Sequence, residues 1–198
     1  MVIILGYTRT CKFGSFRINF RGKNTIIESW DEEGIYAISF FVHTNEAFDN
    51  IPIFAISYNT EENCNHSPQL SEERWNYAYW RQDEKEIIGD EESTNILLQW
   101  YEENNIKNIG QEVEGLMYDD DFYYIGKGPN GKYELIQVIS NLSKKLHDEG
   151  LIVNTFKKEI PIIIHDLEYV WYELEATKRG NPEGLADMFL KSINILLS

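Results

Sequence analysis

Two apolar runs close together near the front of the chain constrain its fold more than any other feature. Ile35-Tyr36-Ala37-Ile38-Ser39-Phe40-Phe41-Val42 and Ile51-Pro52-Ile53-Phe54-Ala55-Ile56-Ser57-Tyr58 are rich in β-branched and aromatic side chains, the composition of buried strands. Pro52 sits where a strand start or edge tolerates the missing N–H. The link between the runs, His43 to Asn50, suits antiparallel neighbours and is too short for a parallel crossover. These two strands are expected at the centre of a sheet.

Further strands are expected at Met1–Gly6, at Ser15-Phe16-Arg17-Ile18-Asn19-Phe20, which alternates with period two, and at Ile160–Ile164. After a turn at Gly22-Lys23-Asn24, the Thr25-Ile26-Ile27 segment suits either a strand or a helix. Helical patterns dominate from residue 67 onward. Ser67-Pro68 offers a cap and a first-turn proline, and Ser93 is placed to cap a helix with Ile96, Leu97, Trp100 and Tyr101 on one face. Leu135, Val138, Ile139, Leu142 and Leu146 repeat at helical spacing before Gly150, with Lys144, Lys145 and His147 near the negative end of the helix dipole. Asn181-Pro182 is expected to cap a last helix carrying Leu185, Met188, Phe189, Ile193 and Leu196. Strands first and helices later, without βαβ alternation, predict an α+β fold: a mainly antiparallel sheet in the N-terminal half, and helices mostly in the C-terminal half. With no repeat and no linker, residues 1–198 are expected to form a single domain.

Charge bears on partners. Lys and Arg number 18 against 33 Asp and Glu, a net of −15. That argues against counterion-driven binding of nucleic acid and against docking on an anionic membrane. The imbalance is local: residues 31–121 hold 22 acids and four bases, whereas residues 1–30 are net +4 and residues 122–198 net −1. A field so concentrated can steer a basic partner, although acids that do not share a face would merely keep the protein soluble. The N-terminus lacks the charged start of a secretory signal, no apolar stretch reaches membrane-spanning length, and two cysteines, Cys11 and Cys64, make no disulfide framework. A cytoplasmic location is expected.

Motifs for chemistry are weak. Gly126-Lys127-Gly128-Pro129-Asn130-Gly131 matches a phosphate-cradling pattern, but Asp119-Asp120-Asp121 upstream repels anions and Pro129 removes an N–H, so a plain strand–helix loop is expected. Cys64, His66 and His43 fall short of a zinc site, and the aspartate run lacks the ligand spacing of a calcium loop. No cofactor or metal is expected. His165 beside Asp166 suits a structural histidine at a strand end better than a catalytic one. With 33 acids, no carboxylate pair for a hydrolase stands out.

The most suggestive constellation interleaves acids with large aromatics. Trp75, Tyr77, Tyr79 and Trp80 run into Asp83, Glu84 and Glu86, then Asp90, Glu91 and Glu92; later come Tyr118, Asp119, Asp120, Asp121 and Tyr123. Tyr and Trp anchor protein interfaces, and carboxylates beside them favour fast association with a cationic partner. Trp80, Tyr118, Tyr123 and these acids are the candidate partner-binding residues. The competing possibility is that Trp75, Tyr79 and Trp80 are core residues.

Several short pieces resemble an uncharacterised bacterial domain family whose members turn up beside toxin genes. They are Ile35-Tyr36-Ala37-Ile38-Ser39, Asn59-Thr60-Glu61-Glu62, Arg74-Trp75 with Ala78-Tyr79-Trp80, Leu146 to Gly150, Ile162-Ile163-Ile164-His165-Asp166 and Asn181-Pro182. They run in order across residues 33–190, and residues 1–30 match nothing in the family. The family has no agreed catalytic residues to carry over. The resemblance implies an α+β bacterial cytoplasmic protein that looks like the immunity proteins of polymorphic or contact-dependent growth inhibition toxins. Together with the local charge, it leads to the expectation of a non-enzymatic inhibitor that occludes a basic toxin domain, a nuclease being a natural partner. The alternatives are a general protein-binding module and, less favoured, a carboxylate-based hydrolase.

Overall fold

The computed structural model describes residues 26–45, 51–107, 109, 131–167 and 169–196. Strand β1 (Ile35–Asn45) and strand β2 (Ile51–Thr60) pair antiparallel, with Phe40 opposite Ile56 and Val42 opposite Phe54. Strand β3 (Lys85–Ile88) adds antiparallel to β2, and strand β4 (Ile162–His165) adds parallel to β1, giving the order β3-β2-β1-β4. The two apolar runs are therefore the central strands of a mixed sheet in an α+β fold.

Helices cover both faces of the sheet, which is why its central strands read as nearly continuous apolar runs rather than alternating ones. On one face Ile38, Phe40, Val42, Phe54, Ile56, Ile162 and Ile164 meet Leu97, Trp100 and Tyr101 of helix α2 (Glu91–Glu103). The same core takes in Leu135, Ile139 and Leu142 of helix α3 (Gly131–Asp148), together with Tyr172 and Ala176 of helix α5 (Trp171–Gly180). On the other face Ala37, Phe41 and Ile163 pack with Trp75 from the short helix α1 (Glu72–Trp75) and with Tyr77 and Trp80 just after it. Phe189 and Ile193 of helix α6 (Asp187–Leu196) complete that layer.

Helix ends follow local chemistry. Gly150 adopts φ 71°, the left-handed conformation that only glycine takes without strain, and so stops α3 and starts helix α4 (Leu151–Phe156). Helices α3 and α5 approach through small residues. A Cβ on Gly180 would come within 3.0 Å of Ser143, and the Ser140 and Ser143 hydroxyls donate to the Ala176 and Gly180 carbonyls at 2.8 Å.

Several expectations are corrected. Ser67 and Pro68 are in no helix, residues 69–70 form a turn, and α1 starts only at Glu72. The cap of α2 is Asp90, not Ser93; Ser93 donates its N–H to the Asp90 carboxylate at 2.8 Å. Ile96 faces outward at 37% exposure rather than lying on the buried face. Ile27–Ser29 forms a 3-10 turn, the helical one of its two options. Asn181 caps the C-terminus of α5, and the last helix begins six residues later at Asp187. Strand β3 falls where the sequence shows a charged run. The strands expected at 1–6 and 15–20 and the glycine loop preceding Gly131 lie outside the described residues.

Candidate functional site

Strand β3, at one end of the sheet among the described residues, and helix α2 form one acidic corner. Residues 83–103 carry eight carboxylates (Asp83, Glu84, Glu86, Asp90, Glu91, Glu92, Glu102 and Glu103) and a single base, Lys85, for a net of −7. The helix buries Leu97, Trp100 and Tyr101, so the opposite face, with Glu91, Glu92, Asn95, Ile96, Gln99 and Glu102, is exposed. At 1.5 Å per residue, the carboxylates from Glu92 to Glu103 span about 16 Å.

The expected partner-binding acids differ in what they already do. Asp83 pairs with Arg81 at 2.6 Å, and Arg81 also pairs with Glu32 at 2.5 Å while lying 4.8 Å from the centre of the Tyr58 ring. Glu84 accepts the Tyr77 hydroxyl. Asp90 is committed to capping α2, and the Ser93 hydrogen bonds hold its carboxyl below the usual carboxylate range. Glu86, Glu91 and Glu92 are exposed and make no ion pair among the described residues. Tyr118, Asp119, Asp120, Asp121 and Tyr123 lie outside the described residues.

Trp80 is a correction. It is 5% exposed, its indole N–H donates to the Arg74 carbonyl at 2.9 Å, and its ring packs beside Tyr36 and Tyr77. Trp75 is buried too, its N–H donating to Gln69 O at 2.6 Å. The aromatic that stays outside is Tyr79, at 52% exposure. The cause is local: the Asn76 side chain accepts the Ala78 N–H, and the resulting 3-10 turn brings Trp80 back into the core while turning Tyr79 outward.

Glu102 and Glu103 stand in the last turn of α2, where the helix dipole is negative and no base offsets them. Glu102→Lys is therefore expected to stabilise the protein by about 0.5 kcal/mol in urea unfolding, and unchanged or lower stability would contradict this placement. The fold itself gains nothing from acids there.

Elsewhere the polar side chains are structural joints that sequence spacing does not reveal. Ser39 Oγ lies 2.8 Å from His165 Nε2, the separation of a nucleophile and its base, and His165 Nδ1 donates to the Asp166 carbonyl at 2.9 Å. Both residues are closed off from solvent, and Phe41, Tyr77, Trp80 and Tyr169 surround the imidazole. Burial pushes His165 down to about 4, so the ring is neutral and pins β1 to β4. Cys64 is buried and donates to the Glu61 carbonyl, whereas His66 is exposed. Among the described residues no group of three His, Cys, Asp or Glu is placed to hold a metal, and no helix is long and apolar enough to cross a membrane. A buried cluster of Lys132, Asp166 and Glu173 joins α3, β4 and α5. Its one sequence signal is Glu173 three residues after the α5 cap position, the spacing at which a glutamate reaches back to a helix start.

No protein-family model, curated protein or solved structure matches the chain. What the fold and surface define is a class: an α+β domain whose strand–helix corner is strongly acidic.

Proposed function

We propose that the chain is an immunity-type inhibitor, a non-enzymatic protein that binds a basic toxin domain and occludes its active cleft with the acidic corner of β3 and α2. The observation that carries this proposal is the net charge of −7 on residues 83–103, with Glu86, Glu91 and Glu92 exposed and free of ion pairs among the described residues. Carboxylates left without internal cations are ready to meet Lys and Arg of a partner. A nuclease domain suits this surface best, because a site built for a polyanion is itself cationic. The ordered resemblance to a family found beside toxin genes points the same way, by association rather than by chemistry. Ile96, exposed on α2, supplies apolar contact beside the acids of that helix, a role Trp80 is too buried to play.

The test begins with the reading frame beside the gene in its native genome, co-expressed with this chain. Relief of that frame's growth inhibition and a stoichiometric complex are the expected results. The triple variant Glu86→Lys/Glu91→Lys/Glu92→Lys should then lower the association rate about 10- to 100-fold at low salt, with a smaller change in dissociation. A complex whose association rate ignores both salt and the triple reversal would remove this corner from the interface. Failure of any neighbouring toxin to be relieved would remove the immunity function itself.

A further inference from the structure

Away from the acidic corner, the N-terminus of α3, the end of β4 and the first turn of α5 meet at three ionisable side chains. Lys132 Nζ pairs with Asp166 Oδ2 and lies 3.2 Å from Glu173 Oε1. Glu173 Oε2 accepts the N–H of Asp166 at 3.1 Å and that of Val170 at 3.4 Å, tying the end of β4 to the start of α5. The Glu173 side chain is wholly buried, while those of Lys132 and Asp166 are 15% and 21% exposed.

We propose that Lys132, Asp166 and Glu173 form a proton-sensitive latch that clamps the first turn of α5 onto β4 and α3. Full ionisation would place two carboxylates against one ammonium, leaving an uncompensated negative charge in a site nearly sealed from water. One proton restores balance. Asp166 is the more exposed carboxylate, bonds Lys132 directly and accepts the Leu167 N–H at 2.6 Å. Glu173 is the wholly buried carboxyl of the pair and takes the proton. The charged and titratable groups around Glu173 are Lys132 from α3, Asp166 from the end of β4, and Tyr169, whose hydroxyl is turned away to donate to the Trp75 carbonyl. Burial pushes Glu173 up to about 7, with Lys132 pulling in the opposite direction.

The sign follows from proton binding. The folded protein holds this proton more tightly than the unfolded chain, whose carboxyl has the ordinary value of 4.5. The stability it contributes is fully present below that value and is lost as pH rises through about 7. Above the transition, Glu173 and Asp166 repel each other and the clamp loosens.

The test uses the full chain and side-chain carboxyl NMR, with amide hydrogen exchange corrected for intrinsic pH dependence. The Glu173 carboxyl is expected to titrate with a midpoint between about pH 6 and pH 8, and protection at the Asp166 and Val170 amides to fall about tenfold across that range while Phe40 in β1 is unaffected. In Glu173→Gln the protection should no longer depend on pH. Lys132→Met, which removes the counter-charge, should raise the Glu173 midpoint by about one unit or more. The latch is overturned if Glu173 is already ionised at about pH 5, if its midpoint ignores Lys132→Met, or if Glu173→Gln keeps the wild-type pH dependence. The titration and the Lys132 variant decide the matter even should Glu173→Gln fail to fold.

Discussion

Replacing Arg74 with methionine is expected to cost about 2–3 kcal/mol of stability, measured by urea unfolding. Arg74 is 3% exposed, and its guanidinium donates two hydrogen bonds to the Glu61 carboxylate and one to the Ser67 carbonyl at 3.3 Å. It also lies 4.1 Å from the centre of the Tyr36 ring. Methionine fills much of the same volume, so the loss reports charge and hydrogen bonding rather than a cavity. Breaking a fully buried pair costs about 3–5 kcal/mol, but the Glu61 side chain is 33% exposed, and water screens the carboxylate that the substitution leaves behind. The backbone carbonyl of Arg74, which accepts from Tyr36 and Trp80, is retained in the variant. Two further measurements separate this account from simple misfolding. Adding Glu61→Gln to Arg74→Met should recover part of the loss, because no charge is then left unpaired. The penalty should also shrink in acid. Arg74 holds the Glu61 carboxyl below its ordinary 4.5, so the stabilisation is fully present above that value and disappears as pH falls through the lower folded value. A penalty that is equal at acid and neutral pH would refute the ion-pair explanation.

How much of this was legible in the sequence depended on how uniform each environment is. The central strands β1 and β2 announce themselves because both faces of the sheet are covered, so nearly every position is apolar. Strand β3 does not, because among the described residues it lies at the edge: four residues, Lys85-Glu86-Ile87-Ile88, bring one fully buried side chain and a register irregularity against β2. Charge, shortness and irregularity are how proteins blunt an exposed strand edge, and they erase the periodicity that would reveal it. The start of α1 was misplaced for a similar reason. Residues 61–66 and 69–70 are turns, held by Arg74 and by the left-handed backbone of Asn65 and His66, so Pro68 begins no helix.

The acidic corner was legible as composition but not as geometry. Counting charges locates residues 83–92, yet only the fold distinguishes Asp83, Glu84 and Asp90, already engaged internally, from Glu86, Glu91 and Glu92. It also extends the acidic face to Glu102 and Glu103, which the candidate set omitted. Of the buried joints, only the position of Glu173 three residues after the α5 cap left a trace in the sequence. Ser39 meets His165 only because β4 lies parallel beside β1, and Lys132 meets Asp166 and Glu173 only where α3, β4 and α5 converge. Contacts so distant in sequence leave no local pattern.

The two edges of the sheet among the described residues differ, and that difference leads to the largest single effect expected. Whereas β3 is short and charged, β4 is buried at all four positions and has side chains from α5 along its outer edge. The Thr177 hydroxyl accepts the Ile164 N–H at 2.8 Å and donates to the Ile164 carbonyl at 3.0 Å. Asn181 does the same for Ile162: its Oδ1 accepts the N–H at 2.8 Å and its Nδ2 donates to the carbonyl at 2.7 Å. These two side chains take the place of a neighbouring strand. Asn181 also donates to the Thr177 carbonyl at 2.7 Å and lies 3.2 Å from His147 Nε2, on the far side of which Glu159 is 2.7 Å from Nδ1. Asn181→Leu keeps the volume but strands both backbone groups of the fully buried Ile162, so about 3–4 kcal/mol should be lost. Thr177→Val removes the equivalent pair at Ile164 and should cost about 1–3 kcal/mol. Because an unsatisfied strand edge can pair with another chain, Asn181→Leu should also self-associate near its unfolding midpoint, visible by light scattering, where wild type stays dispersed. A loss below about 1 kcal/mol for Asn181→Leu would mean that water replaces the amide, and that α5 does not close this edge of the sheet.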